Sequence, residues 1–246
     1  MMLWYKAWRE SRVRFLVSAV ALAIVCAGFV FFHRDVSGGI SDEPLSYPMY
    51  IWRITYQGYL RELFMILAIL LGLGGLARER DRRTAGFTLA LPVSRWRLLA
   101  TRTMVGFGQV VLLATIPAIV LPLLSPLIGQ AYPSSQAWAF AILWATVGSL
   151  IFAMSLLASV LFAGEFTAPV AAILGLTAYS FLADVRPLER YLTDIHDVMS
   201  GFDMPYFEER TGVLTGPLPW ATVFTLFFAA AALIVIGAWI TNRQDF

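Results

Sequence analysis

The chain has 246 residues, of which 59% are hydrophobic and only 14% charged, with a net charge of +2. Soluble domains are near half apolar and a quarter charged, so this composition excludes an ordinary soluble domain. One cysteine (Cys26) excludes a disulfide framework, two histidines (His33, His196) are too few for a His-built metal site, and the single lysine, Lys6, lies in no GxxxxGK[ST] stretch, which excludes a P-loop ATPase.

The N-terminal stretch reads as an amphipathic lead-in. Trp4 and Trp8 are four apart and share a helix face, while Lys6, Arg9 and Arg12 point elsewhere. Such a helix is expected to lie in the membrane interface, indoles among the headgroups and basic residues near anionic lipid. The first span follows at 15–32. A cleavable signal peptide fits it poorly, because the run is long for one and ends Phe29-Val30-Phe31-Phe32, with no small-residue cleavage site.

The second span ends at Ala77, but its fully apolar part, 63–77, is too short for a hydrocarbon core about 30 Å thick. It is therefore predicted at 58–77, with Arg61 and Glu62 among headgroups and Tyr56 and Tyr59 in an aromatic belt. The third, at 104–129, holds Pro117, Pro122 and Pro126, so a kinked or broken helix is expected. The fourth, fifth and sixth spans read as 137–162, 169–183 and 220–240. No Asp, Glu, Lys or Arg falls near the middle of any span, which disfavours a proton- or sodium-coupled carrier. Small residues on the second span (Gly72, Gly74, Gly75) and the fourth (Gly148, Ser155, Ser159) offer close helix contacts, chiefly within one chain.

Orientation follows from the basic residues. Twelve of the 18 fall in the N-terminal segment, in the connection 78–103 and at Arg243. The positive-inside bias then puts both termini in the cytoplasm. The opposite side carries the loop 184–218, in which seven acidic residues outnumber Arg186, Arg190 and Arg210. The plain account of that loop is a solvated external segment.

The connection 78–103 is unusual for a linker. The charged run Arg78-Glu79-Arg80-Asp81-Arg82-Arg83 gives way to Thr84 and then to a short apolar stretch, Phe87 to Leu91. Phe87 and Leu91 stack four apart on a helix. Pro92 stops it, and Ser94, after Val93, is placed to cap the next helix. A small apolar face outside the bilayer needs a surface to bury it.

The string from Arg78-Glu79-Arg80 through Thr84 to Leu91-Pro92-Val93-Ser94-Arg95 resembles the signature of permease subunits of type-2 ATP-binding-cassette transporters. Arg83-Thr84 stands where that family commonly has Gly-Thr. The amphipathic N-terminus, the six spans and the terminal Asn242-Arg243-Gln244-Asp245-Phe246 are similar to the family as well, although only the 78–95 block is specific to it. The resemblance implies an all-α integral membrane protein forming a single transmembrane domain: six transmembrane helices, an N-terminal interfacial helix and a cytoplasmic coupling helix between the second and third spans.

It further implies that Glu79, Arg80, Thr84, Phe87, Leu91, Pro92, Val93, Ser94 and Arg95, with Glu165 in the turn after the fourth span, meet a separate ATPase. Tyr56, Gln57, Thr177, Tyr179 and Ser180 would line the pathway. The expected partners are two copies of an ABC ATPase, a second permease chain, identical or related, and membrane lipid, with no nucleic acid. This chain would need no cofactor, ATP and magnesium belonging to the ATPase, and its place would be a bacterial cytoplasmic membrane. Two other readings compete: a membrane enzyme using Asp194, His196 and Asp197, and a non-catalytic scaffold. The enzyme lacks a third partner and a buried pocket, and the scaffold leaves the Pro-Val-Ser-Arg step unexplained.

Overall fold

The computed structural model describes residues 2–33, 46–73, 95–161, 170, 173, 207–208, 212–214 and 216–243. They form a helical bundle, with a two-stranded antiparallel pair, β1 (Phe207–Glu208) and β2 (Val213–Leu214), against one end. Five helical stretches are long and apolar enough to cross a membrane, the make-up of a multi-pass membrane protein. The expected fifth span, 169–183, lies outside the described residues except for Val170 and Ile173, which are helical and exposed.

Helix α1 (Met2–Phe31) corrects the expected N-terminus: lead-in and first span are one helix rather than an interfacial segment followed by a span. Nothing between Trp4 and Phe15 can break it. The stretch has no Gly or Pro, and the Ser11 hydroxyl donates to the Ala7 carbonyl at 2.9 Å instead of competing with the backbone. At 1.5 Å per residue α1 is about 45 Å long, enough to cross a bilayer and protrude from it.

The second crossing begins earlier than the apolar run predicts. Helix α2 (Tyr47–Ile51) starts behind Ser46 with Pro48 in its first turn and passes into a π-helical turn at Trp52–Tyr56. The backbone then bends at Gln57 and Gly58 before α3 (Tyr59–Gly72). Gly58 is required there. A Cβ would lie 2.8 Å from the Arg53 carbonyl oxygen and 2.9 Å from that of Ile54. The Gln57 N–H closes the wide turn on the Trp52 carbonyl at 2.9 Å.

Helix α4 (Arg95–Leu124) is not broken at Pro117 or Pro122. It tightens only at its end, into a 3-10 turn over Ser125–Ile128 that contains Pro126 and stops at Gly129 in the left-handed region. Neighbouring helices make interior prolines tolerable in a membrane bundle. The Ser125 hydroxyl donates to the Leu121 carbonyl at 2.7 Å where the helix changes form.

Helix α5 (Ser134–Leu161) is the hub, packed against α3, α4 and α6 (Trp220–Arg243). Its residues 143–149 are all buried, as befits a helix surrounded on every side. The first four crossings alternate in direction and α6 runs parallel to α5, which gives the bundle two ends. The starts of α1 and α4 and the finish of α6 share the termini end, while the starts of α2, α5 and α6 share the far end. Exposed aromatics ring both: Trp4, Trp8, Trp96 and Trp239 at the termini end, Tyr59, Trp138 and Trp220 at the far end. Trp220 and Trp239 stand at opposite ends of α6, about 28 Å apart along its axis, close to the depth of a hydrocarbon core.

Candidate functional site

At the termini end, the start of α4 is fastened to α1. Leu98 and Leu99 pack with Ala238 of α6 and Leu3 of α1 in a small apolar cluster. One turn on, the Arg102 guanidinium meets the Glu10 carboxylate at 3.1 Å, and the Lys6 ammonium reaches its other oxygen at 3.9 Å. Deeper in, the buried Gln109 amide donates to the Ser11 hydroxyl at 2.8 Å. The contacts climb the α1–α4 seam as apolar cluster, ion pair and side-chain hydrogen bond. A polar link in an apolar bundle fixes register, because slipping it would strand the Gln109 amide nitrogen as well as its buried oxygen, which has no partner among the described residues.

This seam holds the described part of the expected coupling and interface residues. Arg95 is the first residue of α4, directly after the expected cap position. Trp4, Trp8 and Arg9 are exposed, Lys6 is half-buried, and the Trp8 ring sits 5.8 Å from that of Phe15. Glu79, Arg80, Thr84, Phe87, Leu91, Pro92, Val93, Ser94 and Glu165 lie outside the described residues. So do Asp194, His196 and Asp197 of the competing enzyme reading.

At the far end, Tyr56 and Gln57 occupy the discontinuity between α2 and α3. Tyr56 is 1% exposed. Its ring lies 4.5 Å from Phe140 and 5.5 Å from Trp144, which stacks on Phe64 at 4.7 Å. Tyr56 therefore joins the broken crossing to the hub helix, and Gln57 is half-buried beside it. Thr177, Tyr179 and Ser180 lie outside the described residues.

Sequence reasoning named Tyr56 but missed Tyr47, Tyr50 and Tyr132 around it. The Tyr47 hydroxyl shares a 2.7 Å hydrogen bond with Ser125, and that of Tyr50 donates to the Phe29 carbonyl at 2.9 Å, so α2 is tied to the ends of both α4 and α1. The Tyr56 hydroxyl approaches that of Tyr132 without a well-formed hydrogen bond. Burial pushes the Tyr132 phenol above its ordinary range, so it stays neutral. The signal was available as three tyrosines in Tyr47–Tyr56, too many for a plain solvated loop.

Gln136 holds the strand pair. Its amide nitrogen donates to the Gly212 carbonyl at 2.8 Å, and its amide oxygen accepts the Leu214 N–H at 3.4 Å. Gly212, at φ 70°, presses its Cα against the Pro48 and Met49 backbone, where any Cβ would overlap. Substituting Gln136→Leu keeps the volume but strands both backbone groups, at about 1–3 kcal/mol. The expected result is a lower melting temperature in detergent and faster proteolysis near Gly212; an unchanged melting temperature would show that the amide contributes nothing.

Compared with known protein families and with curated proteins, the chain matches none of them.

Proposed function

We propose that this chain is the membrane half of an ATP-driven exporter of the type-2 ATP-binding-cassette class. In this reading two permease chains pair, and each takes up one copy of a separate ATPase on the cytoplasmic side. The observation that carries the proposal is the 78–95 string, charged, then apolar, then Pro-Val-Ser-Arg, running directly into a long helix that starts at Arg95. The five membrane-length helices and the fastening of α4 to α1 fit it, because a push at the start of α4 has a rigid path into the bundle. The chain lacks a P-loop, so the nucleotide chemistry belongs to the partner. ATP-driven closure of the ATPase pair would then rock the two bundles between alternative packings. The membrane would be a bacterial cytoplasmic membrane, with both termini in the cytoplasm.

The test is capture of the tagged chain from its native membrane. A soluble subunit carrying a nucleotide-binding motif is expected in equal copy number. Phe87→Asp with Leu91→Asp should abolish its recovery while membrane insertion stays normal. Capture without such a subunit, or undiminished capture by the double variant, would overturn the proposal.

A further inference from the structure

Two helices share a pattern that the transport reading does not use. On α1, Val13, Leu16, Val17, Val20 and Ile24 are all more than half exposed and follow one helix face, opposite the buried line of Ser18, Leu22, Cys26 and Val30. That exposed face runs into Arg9, with Arg12 at its edge, both exposed, at the termini end. On α6, Phe224, Phe228, Val235 and Trp239 form a similar exposed stripe, and it too ends in an arginine: the Arg243 guanidinium lies 3.9 Å above the centre of the Trp239 ring. Each stripe is thus an apolar track about the length of an acyl chain or more with a guanidinium at the termini end, and on α6 an indole lies beside it.

We infer that these two tracks are binding sites for anionic phospholipids, acyl chains along the stripes and headgroup phosphates on Arg9, Arg12 and Arg243. Charge favours an anionic over a zwitterionic headgroup. At this end Lys6, Arg9, Arg12, Arg14, Arg97, Arg102 and Arg243 face a single acid among the described residues, Glu10, which is already engaged by Lys6 and Arg102. An arginine forks onto phosphate oxygens and an indole settles at headgroup depth, so the pair on α6 matches one lipid headgroup. A second copy of the chain fits the α1 track less well. The face from Val13 to Ile24 offers no Gly, Ala or Ser for close helix approach, and a two-fold contact there would bring Arg9 and Arg12 towards their own copies.

The experiment is native mass spectrometry of the full chain in detergent, supplied with phosphatidylglycerol and phosphatidylcholine of equal chain length. Wild-type protein is expected to retain phosphatidylglycerol preferentially, and less of it as ionic strength rises. Arg243→Gln should lower occupancy of one of two bound phosphatidylglycerols about fivefold, and Arg9→Gln or Arg12→Gln that of the other, with phosphatidylcholine unaffected. Lysine at the same three positions should restore most of it, which separates charge from any loss of folding. Equal retention of the two lipids by wild type, retention insensitive to the glutamine changes, or crosslinking of Val20→Cys chains to each other across the α1 stripe in a bilayer would overturn the inference.

Discussion

Gly148→Val is expected to leave almost no folded protein, while Gly108→Ala should be neutral or mildly stabilising. Both glycines sit inside long helices, so helix propensity alone predicts that each substitution helps, by up to about 1 kcal/mol for alanine. Their surroundings reverse the prediction at one of them. At Gly148, where α5 meets α3 and α4, an added Cβ would lie 2.6 Å from Phe64 Cζ and 2.8 Å from Val110 Cγ1. Neither neighbour has room to retreat. Phe64 is buried and stacked on Trp144, which is itself packed against Tyr56, and Val110 is fully buried. Valine therefore forces apart three helices at the centre of the bundle, an overpacking cost of about 3 kcal/mol or more. At Gly108 an added Cβ would have nothing within 4 Å. Size-exclusion profiles in detergent and melting temperatures check the pair. A monodisperse Gly148→Val protein melting with the wild type would mean that the α3–α4–α5 contact is looser than these distances state.

The same contact shows which features the sequence made legible. Apolar run length located α5 and α6 to within about three residues, because a helix needs an unbroken hydrophobic surface to cross a bilayer. It underestimated α1 and α4, whose first turns hold Arg9, Arg12, Arg97 and Arg102. Such arginines fall outside an apolar run, yet the Trp4–Trp8 spacing and the cap position at Ser94 already read as helix, and these helices simply continue out of the apolar zone. It missed α2 and the π-helical turn because Tyr47–Tyr56 mixes tyrosines, Pro48 and Arg53. The hydrogen bonds of Tyr47 and Tyr50 to Ser125 and Phe29 are made with distant parts of the chain, which local patterning does not register. The small-residue pattern did point to a real contact. Gly72 abuts Ser155, whose hydroxyl donates to the Ile69 carbonyl at 2.9 Å, so this face is spent within the chain. Of the candidate coupling residues only Arg95 falls among the described residues. The Glu10–Arg102 and Ser11–Gln109 contacts that lie behind it join positions more than 90 residues apart, and no spacing rule pairs them.

Arg102→Glu is the second substitution with a large expected effect, and it acts chiefly on function. The Arg102–Glu10 pair sits at the end of the bundle with the Glu10 side chain 43% exposed but that of Arg102 only 12%, so reversing the charge also costs stability, about 1–3 kcal/mol. Membrane insertion should stay normal, while the melting temperature falls by a few degrees. Under the proposed mechanism, however, motion imposed on the 78–94 connection enters at Arg95 and reaches α1 through this pair and through Gln109–Ser11. Reversing one charge turns the attraction at the first of those contacts into repulsion, while leaving the ATPase-contacting segment intact. Export in vesicles should fall about tenfold, within the 1–3 kcal/mol typical of coupling between sites, with the ATPase still bound. Glu10→Arg combined with Arg102→Glu restores opposite charges with the ends exchanged, and should recover most of the lost export. Melting temperatures of the single and double variants, compared with their export, separate loss of this contact from a general loosening of the bundle. If the single variant exports normally, α1 is not driven through this pair. If the double variant stays as impaired as the single one, Arg102 acts through a contact other than Glu10.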